Sequence, residues 1–169
     1  MADGRRERIR GVIGLRLAGQ SEDDVGHAAF IRRLFDECGS KWNFHHVMHL
    51  RDALRWIEEN KDGSFLVIAD YLLPDGCGLD LAGNAKNPLE VGFPLIILTG
   101  FGSEKIAVQS FKSGAMDYVV KDAESIQKLP EIARETLNKW CEYKRQKPAK
   151  DDVQDLGEAK SGQKRALKT

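Results

Sequence analysis

No run of apolar residues in this chain comes near the roughly 18–20 that a membrane-crossing helix needs. Nor does a continuous apolar stretch follow the charged opening residues 1–10, as it would in an export signal. The expectation is a cytoplasmic domain that is not inserted in a membrane. Cysteine is scarce: Cys38, Cys77 and Cys141 lie far apart with no CxxC spacing, which argues against a disulfide framework or a zinc site and for reduced thiols. Charge of one sign is not in excess either. The 26 basic and 26 acidic side chains give a formal net charge of +0, so no broad field draws the chain to nucleic acid or to an anionic surface. Basic residues near the end, such as Lys144, Arg145, Lys164 and Arg165, are mixed with acids and read as a solvated segment. Neither a GxGxxG nor a GxxxxGK[ST] pattern is present, so the usual phosphate-cradling loops are missing.

Of the 169 residues, 41% are apolar, enough for one ordinary domain with a real core and a tail. The expected division is a flexible lead-in over 1–10, a folded domain over 11–145 and a disordered charged tail over 146–169. Val12 to Ala18 is mildly apolar and reads as a first strand. Ala28, Ile31, Leu34 and Phe35 follow at helical spacing, with Gly39 as a stop. Phe44 to Leu50 reads as a short strand, and Ala53, Leu54 and Ile57 as the apolar side of a second helix. FLVIA at 65–69 and PLIIL at 94–98 are continuous apolar runs, the pattern of central parallel strands buried on both faces. Leu79 to Asn84 allows a short helix. Ile106, Ala107, Ser110 and Phe111 form another helical stripe, and MDYVV at 116–120 a last strand. The final helix is expected from about Ser125 to Tyr143, with Pro130 tolerable only if the helix proper starts near Leu129.

Strand and helix thus alternate five times, which implies an α/β fold: a doubly wound parallel sheet with helices on both faces. In such sheets the working site lies beyond the carboxyl ends of the strands. The first strand is followed by Glu22-Asp23-Asp24, the third by Asp70, the fourth by Thr99 and the fifth by Lys121, so these should gather on one rim. Clustered carboxylates repel one another, and a hard divalent cation such as Mg²⁺ would relieve that. Carboxylate, Mg²⁺, lysine and hydroxyl together can perform phosphoryl transfer: Asp70 attacks in line while the others neutralise charge on the equatorial oxygens.

The segment LVIADYLLPDGCGLDL resembles the phosphoacceptor strand and loop of response-regulator receiver domains, the phosphorylated modules of two-component signal transduction. LIILTG is similar to the strand carrying their switch threonine, and GAMDYVVK to the strand carrying their aromatic and lysine. EDDVGHAAFIRRLF is similar to their acidic-pair loop and first helix. The resemblance covers roughly Gly14 to Trp140. It implies a flavodoxin-like order 2-1-3-4-5 for a five-stranded sheet. It also implies a phosphorelay role, with Asp70 accepting phosphate from a sensor histidine kinase or a histidine phosphotransfer protein. Thr99 and Lys121 would complete the reacting centre, and Mg²⁺ would be held by Glu22, Asp23, Asp70 and the backbone carbonyl of Leu72. The acidic pair could equally be Asp23 and Asp24. Thr99 and Tyr118 would act as the switch, reporting to the face made by the fourth helix, fifth strand and fifth helix. Output would be contact with a downstream protein target, and the domain would catalyse only its own phosphoryl transfer and dephosphorylation.

Other readings attach to the same residues. The segment AGQS at 18–21 makes a weak end to the first strand, which motivates a pseudo-receiver that binds partners without phosphorylation. A phosphohydrolase using Asp70 would need an acid or base two residues on, where Leu72 stands. For the same reason self-dephosphorylation is expected to be slow. His45, His46 and His49 invite a metal reading, but on a strand His45 and His49 share a face and His46 points away, so a packed or solvated strand is the plainer one.

Overall fold

The computed structural model describes residues 11–15, 24–38, 42–100 and 102–146. Five strands form one parallel sheet: β1 (Gly11–Leu15), β2 (Phe44–Val47), β3 (Phe65–Asp70), β4 (Leu95–Thr99) and β5 (Asp117–Val120). Their order is β2-β1-β3-β4-β5, the 2-1-3-4-5 winding that the resemblance implied. Between them run α1 (Asp24–Glu37), α2 (Leu50–Glu59), the single turn α3 (Pro88–Val91) and α4 (Glu104–Lys112). After β5 come α5 (Ala123–Gln127) and α6 (Leu129–Gln146). Among the described residues no helix is long and apolar enough to cross a membrane.

The two central strands are buried along their whole length, as continuous apolar runs require. Their side chains alternate between two separate cores. Leu66, Ile68, Ile96 and Leu98 meet Ile31 and Phe35 of α1 and Leu129, Ala133 and Leu137 of α6 on one face. Phe65, Val67, Leu95 and Ile97 meet Ala53 of α2 and the 3₁₀ turn Gly78–Ala82 on the other. Both faces of the sheet are therefore covered, and its carboxyl and amino edges remain as the places where loops gather.

Several local expectations shift. The strand expected from Phe44 to Leu50 stops at Val47 because Leu50 already belongs to α2 and His49 occupies its N-cap position, so His45 and His49 do not share a strand face. Leu54 and Phe111, read as core-facing, are exposed. Ala53 and Ser110 take the fully buried positions of α2 and α4, because the sheet lies on their side of each helix. The last helix divides at Lys128. Pro130 has no N–H to give, so it sits in the first turn of α6, where none is needed. Two small elements carried no periodic signal and were not anticipated: α3, with Asn87 capping and Pro88 opening it, and an antiparallel hairpin pairing Leu72–Leu73 with Gly76–Cys77. The lead-in over 1–10, the first-strand residues 16–18 and the tail from 147 lie outside the described residues.

Phe35 is fully buried, with Trp42 edge-on at 5.2 Å and Phe44 at 5.8 Å between ring centres. Phe35→Ala should cost about 3–5 kcal/mol, the range for emptying a large aromatic site in a close-packed core. Urea unfolding followed by far-UV circular dichroism reads this out; a loss under ~1 kcal/mol would mean this face of the sheet is not close-packed.

Candidate functional site

Parallel strands that start together end together, and here three of them deliver polar residues to one edge. Asp70 is the last residue of β3 and Thr99 the last of β4, and both are only 4% exposed. Lys121 follows β5 directly, its N–H donating to the Thr99 carbonyl at 2.8 Å. From there its ammonium crosses in front of β4, the strand between β3 and β5, and donates to Asp70 Oδ2 at 2.5 Å. The lysine side chain is 19% exposed and the aspartate 5%, so this is a largely desolvated ion pair. Leaving such a carboxylate without its cation typically costs ~3–5 kcal/mol, because the charge stays buried.

The loop after Asp70 is tightly specified. Tyr71 N–H donates to the Leu98 carbonyl at 2.6 Å, and Gly78 N–H to the Tyr71 carbonyl at 3.0 Å. A Cβ on Gly78 would come within 2.3 Å of the Asp70 carbonyl oxygen, so only glycine lets the chain close back on the end of β3. Cys77 precedes that turn, and burial pushes its thiol pKa up. Leu72 lies on the hairpin with its side chain 70% exposed.

Tyr118 is partly buried against the second core, and its hydroxyl accepts a hydrogen bond from Ser103 N–H at 3.2 Å. This ties β5 to the segment between Thr99 and α4, a link to Ser103 that no sequence signal offered. Asp122, directly after Lys121, caps α5. Its carboxylate accepts from Ser125 N–H and Ser125 Oγ, both at 2.8 Å, and these bonds hold its pKa below the usual aspartate value.

Asp70, Thr99 and Lys121 thus stand at the carboxyl edge of the sheet, while Tyr118 lies further back on β5, opposite Ile97. Glu22 and Asp23 lie outside the described residues, and Asp24 is the first residue of α1. The histidines are dispersed in their surroundings. His45 stacks on Trp56 at 5.2 Å, burial lowers the pKa of His46 with His45 adding to the effect, and His49 Nδ1 lies 3.5 Å from Asp52. Among the described residues no three metal-capable side chains cluster. At this edge the Asp70 carboxylate offers hard oxygens, the donors Mg²⁺ prefers, so this residue fits that ion.

The strand order and the lysine-paired aspartate at the carboxyl edge define a flavodoxin-like α/β domain with a charged site where such sheets work. The family model described as "Response regulator receiver domain" matches residues 21–134, and the chain belongs to that family. It is 72% identical over 124 residues to the Methanogenesis regulatory protein FilR1 of Methanothrix harundinacea, covering 73% of this chain and 28% of that one. To the transcriptional regulatory protein ZraR of Salmonella typhimurium it is 30% identical over 113 residues, covering 67% of this chain and 24% of the relative. The chain therefore spans about a quarter of the length of these relatives. Among solved structures, the signal receiver domain of a putative Luxo repressor protein from Vibrio parahaemolyticus superposes with a TM-score of 0.64 at 25% identity. That match covers 83% of this chain and 99% of the other.

Gly78→Ala should destabilise the domain by about 1–3 kcal/mol, the usual cost of forcing atoms into a filled site. It should also move the Tyr71 and Gly78 amide resonances in a heteronuclear NMR spectrum, since the added methyl displaces the loop from Asp70. Unchanged amide positions would show that the loop does not close as described.

Proposed function

We propose that this domain accepts a phosphoryl group on Asp70 from the phosphohistidine of a sensor kinase or a histidine phosphotransfer protein. In this reading it works in the cytoplasm, passes its state to a downstream protein by direct contact, and is an enzyme only toward its own phosphorylation. The observation that carries the reading is the contact of the Lys121 ammonium with Asp70 Oδ2, beside the buried Thr99. An Asp70 carboxylate oxygen attacks phosphorus, the new O–P bond forms as the P–N bond breaks, and the imidazole leaves with the electron pair. Lys121 gives up part of its contact with the carboxylate to neutralise an equatorial phosphoryl oxygen, and the Thr99 hydroxyl donates to another. Asp70, the Leu72 carbonyl and an acidic pair, either Glu22 with Asp23 or Asp23 with Asp24, would hold Mg²⁺. When bound, the ion offsets carboxylate repulsion and the charge arriving on phosphorus. Because Tyr118 is hydrogen-bonded to Ser103, a shift of the segment after Thr99 toward the phosphoryl group alters the tyrosine's surroundings and so the β5 face.

Intact-mass measurement after acetyl phosphate and Mg²⁺ treatment should show the gain of one phosphoryl group, absent in Asp70→Asn and strongly reduced in Lys121→Ala. Phosphorylation persisting in Asp70→Asn would defeat the assignment.

The apolar side chain of Leu72 cannot orient an attacking water, so the acyl phosphate should last minutes or longer. Leu72→Glu should shorten its lifetime by up to ~100-fold, the low end of general-base assistance. An isolated wild-type lifetime of seconds would contradict this.

A second reading, the pseudo-receiver, draws on the sequence before the acidic run: AGQS at 18–21 stands where a strongly apolar strand end would lead up to Glu22. Failure to bind Mg²⁺ up to tens of millimolar, followed by NMR, would favour it.

A further inference from the structure

Helix α2 begins without a cap of its own. His49 stands at the N-cap position, but its side chain makes no capping hydrogen bond. The first N–H groups are met instead from far along the chain: Asp75 Oδ1 accepts from Leu50 N–H at 2.7 Å and Oδ2 from Arg51 N–H at 3.2 Å. Some desolvation raises the Asp75 pKa, but these donors outweigh it and hold the carboxyl below the usual aspartate value, as expected for a carboxylate on a helix N-terminus. Asp75 sits at the tip of the hairpin that follows Asp70. Beside it, Gly76 comes so close to α2 that a Cβ there would meet Leu50 Cδ2 at 2.7 Å. The hairpin tip is therefore fastened to α2 both by charge and by close packing.

That fastening matters for Leu72. Its side chain, 70% exposed, gives the backbone little anchorage. What fixes the Leu72 peptide is pairing with Cys77 across the hairpin. The hairpin in turn is held at its root by the Tyr71 and Gly78 N–H bonds and at its tip by Asp75. An ion with near-ideal octahedral demands and ligand distances of about 2.0–2.1 Å tolerates little drift in a contributing carbonyl.

We propose that Asp75 is a positioning residue for divalent-cation binding: by capping α2 it holds the hairpin, and with it the Leu72 carbonyl that the phosphoacceptor reading makes a ligand, in one place relative to the end of β3. The inference rests on the phosphoacceptor reading above. Asp75 is not itself a ligand in this scheme, since both its oxygens are engaged by α2.

The test is a Mg²⁺ titration of the full chain, without phosphoryl donor, followed by the backbone amides of Tyr71 and Leu73 in NMR. Asp75→Ala should raise the half-saturating Mg²⁺ concentration by about tenfold, the lower end of what removing an outer partner of a metal site costs. Asp75→Asn, with one acceptor oxygen for two donors, should fall between, and it carries the comparison if the alanine variant does not fold. Asn87→Ala removes a comparable cap, the acceptor for Glu90 N–H on α3 ahead of β4, and should leave Mg²⁺ binding unchanged. Equal shifts in Asn87→Ala and Asp75→Ala, or no shift in the Asp75 variants of a chain that binds Mg²⁺, would overturn the inference alone. A wild-type chain that takes no Mg²⁺ would overturn the phosphoacceptor reading, and this inference with it.

Discussion

A carboxylate with 5% of its surface in contact with solvent is a heavy burden for a domain of this size, and the Lys121 ammonium is what balances it. Exposed pairs elsewhere, such as Arg33 with Glu37 or Lys61 with Glu58, are screened by water and contribute little. The Asp70–Lys121 pair differs because neither partner can be removed without stranding the other in a poorly solvated place. It also sets strict terms for the fold. β3 must end on Asp70 and β5 just before Lys121, and β4 must lie between them in register, with Asp70 opposite Leu98 and Thr99 opposite Val120. Three strands from distant parts of the chain are thus committed to one alignment. In the proposed chemistry the same lysine exchanges a carboxylate for a phosphoryl oxygen, so the resting contact doubles as preorganisation for the reaction.

Around that pair, acidic side chains are largely diverted into structural duties. Asp75 caps α2, Asp80 accepts from Cys77 N–H at 2.8 Å at the head of the 3₁₀ turn, and Asp122 caps α5. Each carboxylate committed to backbone N–H groups is one that adds less to the negative field facing Asp70. These caps also decide where loops stop and helices start, which keeps the rim segments short and defined. Glycine serves the same end at Gly76 and Gly78, where any side chain would strike α2 or the end of β3.

The relatives are regulatory proteins several times longer than the matched region, and what this chain has in common with them is about a quarter of each. The family match, residues 21–134, takes in β2 to β5 with Asp70, Thr99 and Lys121, and a fold of this kind hosts many outputs. The site, not the fold, therefore carries the argument about chemistry.

From the residues alone, the parallel sheet was legible. FLVIA and PLIIL announce strands buried on both faces, alternation with helical stripes announces the winding, and Pro130 marks where the last helix begins. The end-of-strand positions of Asp70, Thr99 and Lys121 could be read the same way, because strand ends are local features and the sheet's parallel sense sends them to one edge. What the sequence could not give was which partner each side chain meets. The Asp75 cap joins residues 25 positions apart, and the Tyr118–Ser103 bond joins residues 15 apart. His49 left its expected strand because that distant carboxylate stabilises a helix start beside it. Leu54 and Phe111 look like core residues by periodicity, yet the direction in which the sheet lies against their helices turned them outward. Periodicity reports a helix or strand through short-range geometry. Contacts between elements arise only when packing fixes their separation and rotation, and so the tertiary structure alone decided them.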